Sequence, residues 1–208
     1  MRTLFKLGKN LKNNINLRKE YKIILSDFEL TKFMKIYRKN LNPLYDTRTI
    51  TSLYYDTLSF DLYHKSMNYD VDTFKVRLRT YSNTDEFYEE IKSNLYYGKE
   101  KTVKKRKINS FEDVQKIFIK GNVLYPSAFT SYERSYYKFH NTRLTIDKNI
   151  CYTSHKFRSL SLLTKFEPQI VLEIKSFDGN LDVEKYLFRT PSAFSKYKNA
   201  INSLYRLN

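Results

Sequence analysis

The chain has 208 residues and a formal net charge of +16, with 38 Lys and Arg against 22 Asp and Glu. Because 41% of its residues are hydrophobic and 16% are aromatic, the composition predicts one folded domain and excludes a disordered basic tail. The four glycines are too far apart for a glycine-rich phosphate loop, so any bound phosphate would be held by side chains.

Two regions are predicted along the chain: a basic arm at residues 1–14 and a folded domain at residues 15–208. The arm interleaves Lys and Arg with Leu and Phe, which favours either a loose solvated segment or a short amphipathic helix on a membrane or an anionic partner. No stretch approaches the roughly 18 to 20 apolar residues that span a bilayer. We therefore expect a cytoplasmic protein without a transmembrane segment, whose membrane association would require the arm or a partner.

Capping signals and a helical apolar period predict the helices. Ser26 and Glu29 form a capping box that begins a helix over about residues 27–40. A second helix is predicted from Ser110 to Gly121, since its apolar residues recur at helical spacing and glycine suits the position after a helix. The buried stripe of this second helix would be Phe111, Val114, Ile117 and Phe118. Further helical segments are predicted at residues 58–63, at residues 182–187 and after Pro191.

Segments of alternating polarity predict eight strands, which are mostly antiparallel because several of the turns between them are short. These strands are residues 18–25, 52–55, 74–81, 87–92, 102–108, 131–139, 142–147 and 170–176. Together with the helices they predict an α+β fold in which strands dominate.

The predicted strands share one pattern, in which charged side chains alternate with apolar ones. From Lys75 to Arg79 the odd positions are cationic, and because strand side chains alternate between faces, three cations project from one face. A single strand of this kind is usually a solvated amphipathic strand. Here strand after strand presents Arg or Lys, often with a carboxylate two residues away. If the sheet closes, the charged face becomes a lumen and the helices cover the apolar exterior.

A face crowded with cations requires an anionic partner, because poorly screened like charges repel by several kcal/mol. A linear phosphate chain fits, since Arg binds phosphate oxygens through two nitrogens and Lys supplies point charges. The carboxylates Glu20, Glu90 and Glu173, with Asp147 as a further candidate, would repel this anion unless a divalent metal lay between them. Such oxygen ligands suit Mg²⁺ or Mn²⁺. Glu20 and Glu90 are equally compatible with a role as internal counterions of Lys22 and Lys92.

The order of these motifs resembles the VTC domain, the polyphosphate polymerase domain of the vacuolar transporter chaperone complex and its bacterial relatives. That domain belongs with the CYTH or triphosphate tunnel metalloenzymes. The resemblance covers about residues 15–205 and depends on nine short motifs in one order. The motifs are Arg18-x-Glu20-x-Lys22, Ser52-Leu53-Tyr54-Tyr55-Asp56, Lys75-x-Arg77-x-Arg79-x-Tyr81, Glu90-x-Lys92, Lys104-x-Arg106, Tyr132-x-Arg134, Arg143-x-Thr145-x-Asp147, Leu172-Glu173-x-Lys175 and Phe194-Ser195-Lys196-Tyr197.

This resemblance implies a closed antiparallel eight-stranded β-barrel tunnel with a charged lumen and helices packed outside. It also implies site residues. The catalytic residues would be Arg77, Arg79, Arg134 and Lys196, and Lys196 would close over the tunnel mouth. Phosphates would be bound by Lys22, Arg77, Arg79, Lys92, Lys104, Arg106, Tyr132, Arg134, Arg143 and Lys196. Glu173, with Glu20, would hold Mn²⁺ or Mg²⁺.

The activity implied is transfer of the γ-phosphate of ATP, or of another triphosphate, to a growing polyphosphate chain. No protein base is needed, because the attacking phosphate oxygen is already anionic. Arg18 stands where hydrolytic relatives have the first carboxylate of E-x-E-x-K, which favours transfer over hydrolysis. The alternatives are an inorganic or nucleoside triphosphatase, if water attacks, and a non-catalytic polyphosphate or polyanion-binding module. A nucleic-acid partner is not expected, because the high charge is accompanied by no nucleic-acid-binding motif.

Overall fold

The computed structural model of the protein describes residues 20–68, 70–96, 98–156, 163–176 and 190–207. The predicted basic arm at 1–14 and the predicted helical segment at 182–187 lie outside these ranges. In chain order the elements are β1 (Glu20–Leu25), α1 (Asp27–Tyr37), β2 (Leu41–Asp56), α2 (Asp61–Met67), β3 (Thr73–Tyr81), β4 (Thr84–Leu95), β5 (Gly98–Arg106), β6 (Ile117–Ile119), β7 (Asn122–Phe139), β8 (Thr142–Ser154), β9 (Thr164–Glu167), β10 (Ile170–Ser176) and α3 (Lys196–Tyr205). Among these helices none is long and apolar enough to cross a membrane.

The strands form one antiparallel sheet, and the fold is the strand-dominated α+β class that the sequence predicts. The strand order is β1-β10-β8-β7-β2-β3-β4-β5, with β6 paired to β7 and β9 paired to β8. Each of the eight predicted strands coincides with a strand of the structure, although β2, β7 and β8 extend well beyond their predicted ranges. The first half of β2 contains Pro43, is mostly exposed and pairs through two register shifts, so it lacks the alternation that identifies a strand.

The sheet is curved, but its closure into a barrel is not confirmed. Within the described residues β1 pairs only with β10 and β5 only with β4, so the two ends of the path share no backbone hydrogen bonds. The curvature is evident from Lys22 on β1 and Lys75 on β3, which have four strands between them. Lys22 Nζ donates to the carbonyl of Phe194 at 3.2 Å, and Lys75 Nζ donates to Oγ of Ser195 at 3.1 Å. Strands far apart in the path therefore converge on one short segment.

Helix α1 covers one half of the outer, apolar face of the sheet. The predicted capping box forms, because Glu29 N donates to Ser26 Oγ at 3.3 Å and Ser26 N donates to Glu29 Oε2 at 2.8 Å. Leu30 and Phe33 of α1 are buried in a cluster with Ile23 and other apolar residues of β1, β8 and β10. Burial of each such side chain contributes roughly 1.5–3 kcal/mol. The helix predicted at 27–40 is confirmed, with a 3₁₀ turn over Arg38–Asn40 as its last part.

The helix predicted from Ser110 to Gly121 is wrong. Its capping box does form, but it begins only a 3₁₀ turn over Phe111–Asp113. The chain then extends into β6, which pairs with β7 through a two-residue turn of Lys120 and Gly121. Both turn residues have positive φ, 50° and 76°, as a tight hairpin of type I′ requires. The apolar residues that suggested a helix follow the period of a strand, because Ile117 is buried whereas Phe118 is 73% exposed.

Helix α3 confirms the helix predicted after Pro191, but it contradicts the expectation that all helices pack outside. Its buried residues Tyr197, Ala200, Ile201 and Leu204 lie in a cluster with Ile50, Tyr54, Ala128, Tyr132 and Tyr152. These strand residues share a face with the charged side chains, as the strand registers show. Helix α3 therefore fills one end of that face.

A buried carboxylate joins α3 to α2. Asp56, at the end of β2, is fully buried and accepts hydrogen bonds from the backbone nitrogens of Leu62 and Tyr63 and from the hydroxyl of Tyr197. Burial raises the pKa of Asp56. Because Asp56 also caps the first turn of α2, this helix begins at Asp61, three residues after the start of the helical segment predicted at 58–63.

Candidate functional site

Seven strands and α3 contribute charged side chains to one face of the sheet, which we call the charged face. At its centre lie the cations Lys22, Lys75, Arg77, Arg79, Lys92, Lys101, Arg134, Arg143, Lys175 and Lys196 and the carboxylates Glu20, Glu90, Asp147 and Glu173. The strand registers place these residues at alternate positions opposite one another. This set has ten cations and four carboxylates, so the centre of the charged face has a surplus of positive charge.

Glu90 organises the cations of β3, β4 and β5. Its Oε2 accepts from Arg77 Nε at 2.8 Å and from a second guanidinium nitrogen of Arg77, and its Oε1 accepts from Lys101 Nζ at 2.9 Å. Arg79 Nη1 lies 3.7 Å from the same carboxylate. Burial alone would raise the pKa of Glu90, but Arg77, Arg79 and Lys101 hold that pKa well below its usual range. Glu90 is therefore an internal counterion, but its partners are Arg77, Arg79 and Lys101 and not Lys92, the partner considered from the sequence.

Neutral hydroxyl groups fix the two arginines of β3. Arg77 Nη1 donates to the hydroxyl of Tyr54 at 3.0 Å. Arg79 Nε donates to Ser52 Oγ at 3.1 Å, and Arg79 Nη2 donates to the hydroxyl of Tyr132 at 3.0 Å. These hydroxyl contacts fix both guanidinium groups without adding negative charge, and the single carboxylate of Glu90 is shared by Arg77, Arg79 and Lys101. The group therefore keeps a fixed orientation and a net attraction for anions.

Arg134, Asp147 and Lys196 form a second cluster beside Tyr132. Arg134 Nε and Nη2 donate to the two oxygens of Asp147 at 2.6 and 2.7 Å, and Lys196 Nζ also donates to Asp147 Oδ2. The ammonium of Lys196 lies 4.2 Å from the ring centroid of Tyr132. Asp147 is fully buried, which would raise its pKa, but Arg134 and Lys196 hold the pKa below its usual value. The structure thus brings together Arg134, Tyr132 and Lys196, three of the residues predicted to bind phosphate.

Two carboxylates lie together at the edge formed by β1 and β10. Lys175 Nζ contacts Glu173 Oε1 at 2.9 Å and Glu20 Oε2 at 3.1 Å, and Lys22 Nζ lies 3.4 Å from Glu20 Oε1. Burial acts to raise the pKa of Glu173, but Arg134 and Lys175 hold it well below its usual range. The pKa of Glu20 is also lowered, because Lys175 and Lys22 outweigh burial and the neighbouring Glu173.

This pair of carboxylates is the part of the described chain that suits a divalent metal. No group of three or more His, Cys, Asp or Glu side chains in the described ranges could hold a metal ion without other ligands. Mg²⁺ commonly binds through one or two carboxylates together with water and substrate phosphates. Glu20 and Glu173 already share one cation, the Lys175 ammonium, and both stay ionised, so their chemistry fits a metal of this kind.

Three cations of the charged face, Lys92, Lys75 and Arg143, have no carboxylate within ion-pair distance among the described residues. Lys92 forms no ion pair there, and withdrawal from water together with the nearby charge of Arg77 lowers its pKa to about 7. Burial similarly lowers the pKa of Lys75 to about 8. The buried Nε of Arg143 has no hydrogen-bond partner in the described structure. These groups would gain the most from a bound anion, because they carry or could carry charge that the protein does not balance.

Lys104 and Arg106 are not part of the charged face, in contrast to the sequence prediction. They lie opposite Glu89 and Phe87 in the β4–β5 register, on the apolar side of the sheet, and Arg106 Nη1 donates to Glu89 Oε2 at 2.9 Å. The reason is that β5 carries cations at both odd and even positions. The alternation of its residues therefore does not show which side chains of β5 lie on the charged face. The position opposite Lys92 is Lys101, which sequence reasoning missed. Lys75 and Lys175 belonged to recognised motifs but were not predicted as site residues.

Comparison with known proteins identifies the fold and the family of the chain. No curated protein matches the sequence. Among solved structures, one from Bacillus halodurans, described as a candidate adenylate cyclase, is 12% identical, covers 90% of this chain and 98% of its own, and gives a TM-score of 0.57. The PH1819 protein of Pyrococcus horikoshii is 9% identical, with coverages of 89% and 99% and a TM-score of 0.54. A chain of the Schizosaccharomyces pombe Mediator head module is 12% identical, with coverages of 90% and 95% and a TM-score of 0.50.

At these identities the structural similarities show a shared fold and nothing about activity. The sequence profile of the VTC domain family matches residues 16–122 and 100–205, which together span nearly the whole chain. The matched part includes every strand of the charged face. The chain therefore belongs to the VTC domain family.

Proposed function

We propose that the charged face binds the phosphates of ATP, or of another nucleoside triphosphate, and transfers the γ-phosphate to a polyphosphate chain. The observation that carries this proposal is the surplus of cations over carboxylates on one face, with Arg77, Arg79 and Arg134 held in fixed orientations. Such a surface is complementary to a linear polyanion of high charge density. The orientation is set before the substrate binds, which is the condition for electrostatic stabilisation of a transition state.

We further infer that the curved sheet encloses the substrate as a tunnel. The convergence of Lys22 and Lys75 on residues 194–195 supports this, since it brings β1 and β3 to the same segment. Lys92 on β4 is also electrostatically coupled to Glu20 and Glu173 on β1 and β10. An enclosed site would surround a phosphate chain with cations on several sides.

In the proposed reaction a terminal oxygen of the polyphosphate chain attacks the γ-phosphorus in line, and the bond to the β–γ bridging oxygen breaks. ADP leaves, and the chain gains one phosphate. Arg77, Arg79 and Arg134 would hold the transferring group and balance its charge. Lys196, whose ammonium lies over the ring of Tyr132, would contact the same phosphates from α3. Lys22, Lys92 and Arg143 would extend this grip along the chain.

Glu173 and Glu20 would hold Mn²⁺ or Mg²⁺, and the bound ion would supply neutralisation of phosphate charge. Lys175 now bridges these carboxylates, and it would move its ammonium toward a phosphate when the carboxylates bind the ion. The role of the two carboxylates is to remain ionised beside the substrate, which their lowered pKa values permit.

Hydrolysis of triphosphate is the second candidate. It is favoured by the solvent exposure of the metal-binding edge, where the side chains of Lys22 and Lys175 are each 30% exposed and that of Glu20 is 37% exposed. Water could therefore reach the γ-phosphorus and replace the polyphosphate nucleophile.

The experiment that tests the proposal is ³¹P NMR of the full chain incubated with ATP and Mn²⁺. Accumulation of internal phosphate resonances with ADP would support the polymerase, and release of orthophosphate alone would identify a triphosphatase. No change with either ATP or tripolyphosphate would contradict both activities and leave non-catalytic polyanion binding as the remaining candidate.

A matched pair of variants separates catalysis from binding. Glu173→Gln should lose turnover and keep much of the affinity for tripolyphosphate, because it removes a metal ligand and leaves the cations. Glu89→Gln is the control, since Glu89 lies on the opposite side of β4 and pairs with Arg106. Equal turnover in the two variants would contradict the assignment of Glu173.

A further inference from the structure

An aromatic cluster continues the charged face on the side away from α3. Along β3 the face runs from Lys75, beside Ser195, through Arg77 and Arg79 to Tyr81. Along β7 it runs from Tyr132, beside Lys196, through Arg134 to Tyr136. Both strands thus change from cations to tyrosines in the same direction. We call the group of Tyr45, Tyr81, Tyr88, Tyr136 and Arg48 the tyrosine mouth.

The four rings of the tyrosine mouth form two pairs with large interplanar angles. Tyr45 and Tyr136 have ring centroids 5.5 Å apart at 87°, and Tyr81 and Tyr88 have centroids 6.2 Å apart at 73°. Tyr45 is 54% exposed, and the other three are half-buried. Edge-on contacts of this kind leave ring faces uncovered, so a flat aromatic group could stack on them.

Arg48 adds a cation to this cluster. Its guanidinium carbon lies 5.1 Å from the ring centroid of Tyr45 and 5.8 Å from that of Tyr136. In the described structure it forms no ion pair with a carboxylate, so the two rings orient it while its charge stays available. The hydroxyl of Tyr88 donates to Glu86, which fixes the ring of Tyr88 at the rim of the mouth.

From this arrangement we propose that the tyrosine mouth binds the base of a nucleoside triphosphate whose phosphates lie on the charged face. The inference rests on the proposed function and adds to it the site of the nucleobase, which would favour a nucleotide over inorganic triphosphate. The base stacks on the exposed tyrosine faces, and Arg48 contacts the α-phosphate or the base edge.

The spacing along the strands matches the spacing within a nucleotide. Tyr88 lies directly opposite Arg79 in the β3–β4 register. Tyr81 and Tyr136 each lie two residues beyond an arginine of the charged face, which corresponds to roughly 7 Å along a strand. A ribose bridges a distance of this order between phosphate and base, so phosphates held by Arg79 and Arg134 place the base at the rings.

Among the residues that the structure describes, the opposite end of the charged face offers no equivalent place for a base. There the rings of Tyr54 on β2 and Tyr197 on α3 pack on each other with centroids 5.2 Å apart, and both residues are buried. The base of a bound nucleotide therefore points toward the tyrosine mouth, and the γ-phosphate points toward Lys196 and α3.

Isothermal titration calorimetry of the full chain with ATP and with tripolyphosphate tests this proposal. In Tyr88→Leu and Tyr136→Leu the affinity for ATP should fall about tenfold, the lower part of the range for loss of one base–aromatic stack. The affinity for tripolyphosphate should stay within about twofold. Tyr88→Phe and Tyr136→Phe keep the ring and should retain ATP affinity. Tyr96→Leu is the matched control, because Tyr96 is 89% exposed in the β4–β5 turn and distant from the mouth in the register.

The possible outcomes distinguish the two proposals. If the Leu variants bind ATP as the wild type does, or lose affinity for both ligands alike, the tyrosine mouth is not a base site and the proposed phosphate site stands. If the wild type binds neither ligand, the proposed function itself fails, and the base site fails with it. Circular dichroism of each variant identifies any that do not fold. Tyr45→Leu, which changes a ring that is 54% exposed, then replaces the unfolded variant and should show the same selective loss of ATP affinity.

Discussion

Arg134 and Asp147 face each other across β7 and β8 and form a two-point ion pair, with nitrogen to oxygen distances of 2.6 and 2.7 Å. Lys196 of α3 completes the cluster on Asp147 Oδ2. Two cations thus share one buried carboxylate, so the cluster keeps a positive charge and fastens the N-terminal end of α3 to the sheet. The same contact serves the fold and the proposed phosphate site.

Asp147→Asn should lower the free energy of unfolding by about 3–5 kcal/mol, because it leaves two buried cations without their counterion. An added polyanion supplies the missing negative charge. Tripolyphosphate should therefore raise the melting temperature of the variant by more than it raises that of the wild type. Thermal unfolding with and without tripolyphosphate measures both effects.

The Glu89→Gln variant provides the comparison for this measurement. Its ion pair with Arg106 is on the other face of the sheet and is partly exposed, so the loss should be about 1 kcal/mol or less. The shift with tripolyphosphate should equal that of the wild type. A smaller ligand shift in Asp147→Asn than in the wild type would mean that Asp147 mainly positions Arg134 for phosphate.

The affinity for tripolyphosphate should fall as the pH rises from 7 to 9. Lys92 and Lys75, with pKa values of about 7 and 8, lose their protons over this range in the free protein. A bound anion favours their charged forms and raises both pKa values, so binding above pH 7 requires proton uptake. Each linked lysine adds a decrease of up to about tenfold per pH unit. Titration calorimetry at several pH values in two buffers of different ionisation enthalpy measures the protons taken up.

Lys92→Arg tests the origin of this pH dependence. An arginine stays charged throughout the range, so the variant should show a shallower decrease and take up fewer protons at pH 8. Protonation of tripolyphosphate and of the buffer is the same for both proteins and cancels in the comparison. Parallel pH profiles for the variant and the wild type would exclude Lys92 from the linkage.

A capping box predicted a helix correctly where no neighbouring strand competed for the residues that follow it. The capping box at Ser26 was followed by apolar residues of helical period, and α1 formed as expected. At Ser110 the capping box also formed. However, the tight turn of Lys120 and Gly121 pairs β6 with β7, so the residues of β6 form a strand and do not continue the helix. Whether a capped segment extends as a helix depends on this partner strand, which the local sequence does not identify.

Gly121→Ala should lower the free energy of unfolding by about 1–2 kcal/mol. The left-handed φ of 76° is unfavourable for a residue with a Cβ atom. No atom lies within 4 Å of the added carbon, so backbone strain and not a steric clash is responsible. Urea unfolding measures the change. Asn122→Ala is the control, because it alters the same hairpin at a residue that is not among those with positive φ.

The sequence predicted the candidate site correctly on strands whose charged residues occupy only alternate positions, because these positions share one face. On β3 the cations Lys75, Arg77 and Arg79 alternate with buried Phe74, Val76 and Leu78, so the inward side is defined by sequence alone. On β5 the cations occupy both parities and every residue before Arg106 is exposed. The inward side of β5 follows only from its pairing with β4, which places Lys101 and not Lys104 beside the charged face.

This difference between the two sides of β5 leads to the last prediction. Arg79→Ala should weaken binding of tripolyphosphate by tenfold or more, because a charge-assisted hydrogen bond contributes about 1.5–3 kcal/mol. Lys101→Ala should weaken it by a few-fold, since Lys101 is more exposed and its removal also leaves Glu90 less neutralised. Lys104→Ala and Arg106→Ala should leave the affinity unchanged at constant ionic strength. If Lys104→Ala and Arg106→Ala reduced the affinity as strongly as Lys101→Ala, phosphate would be attracted by the overall charge of β5, and the separation into a charged and an apolar face would not govern binding.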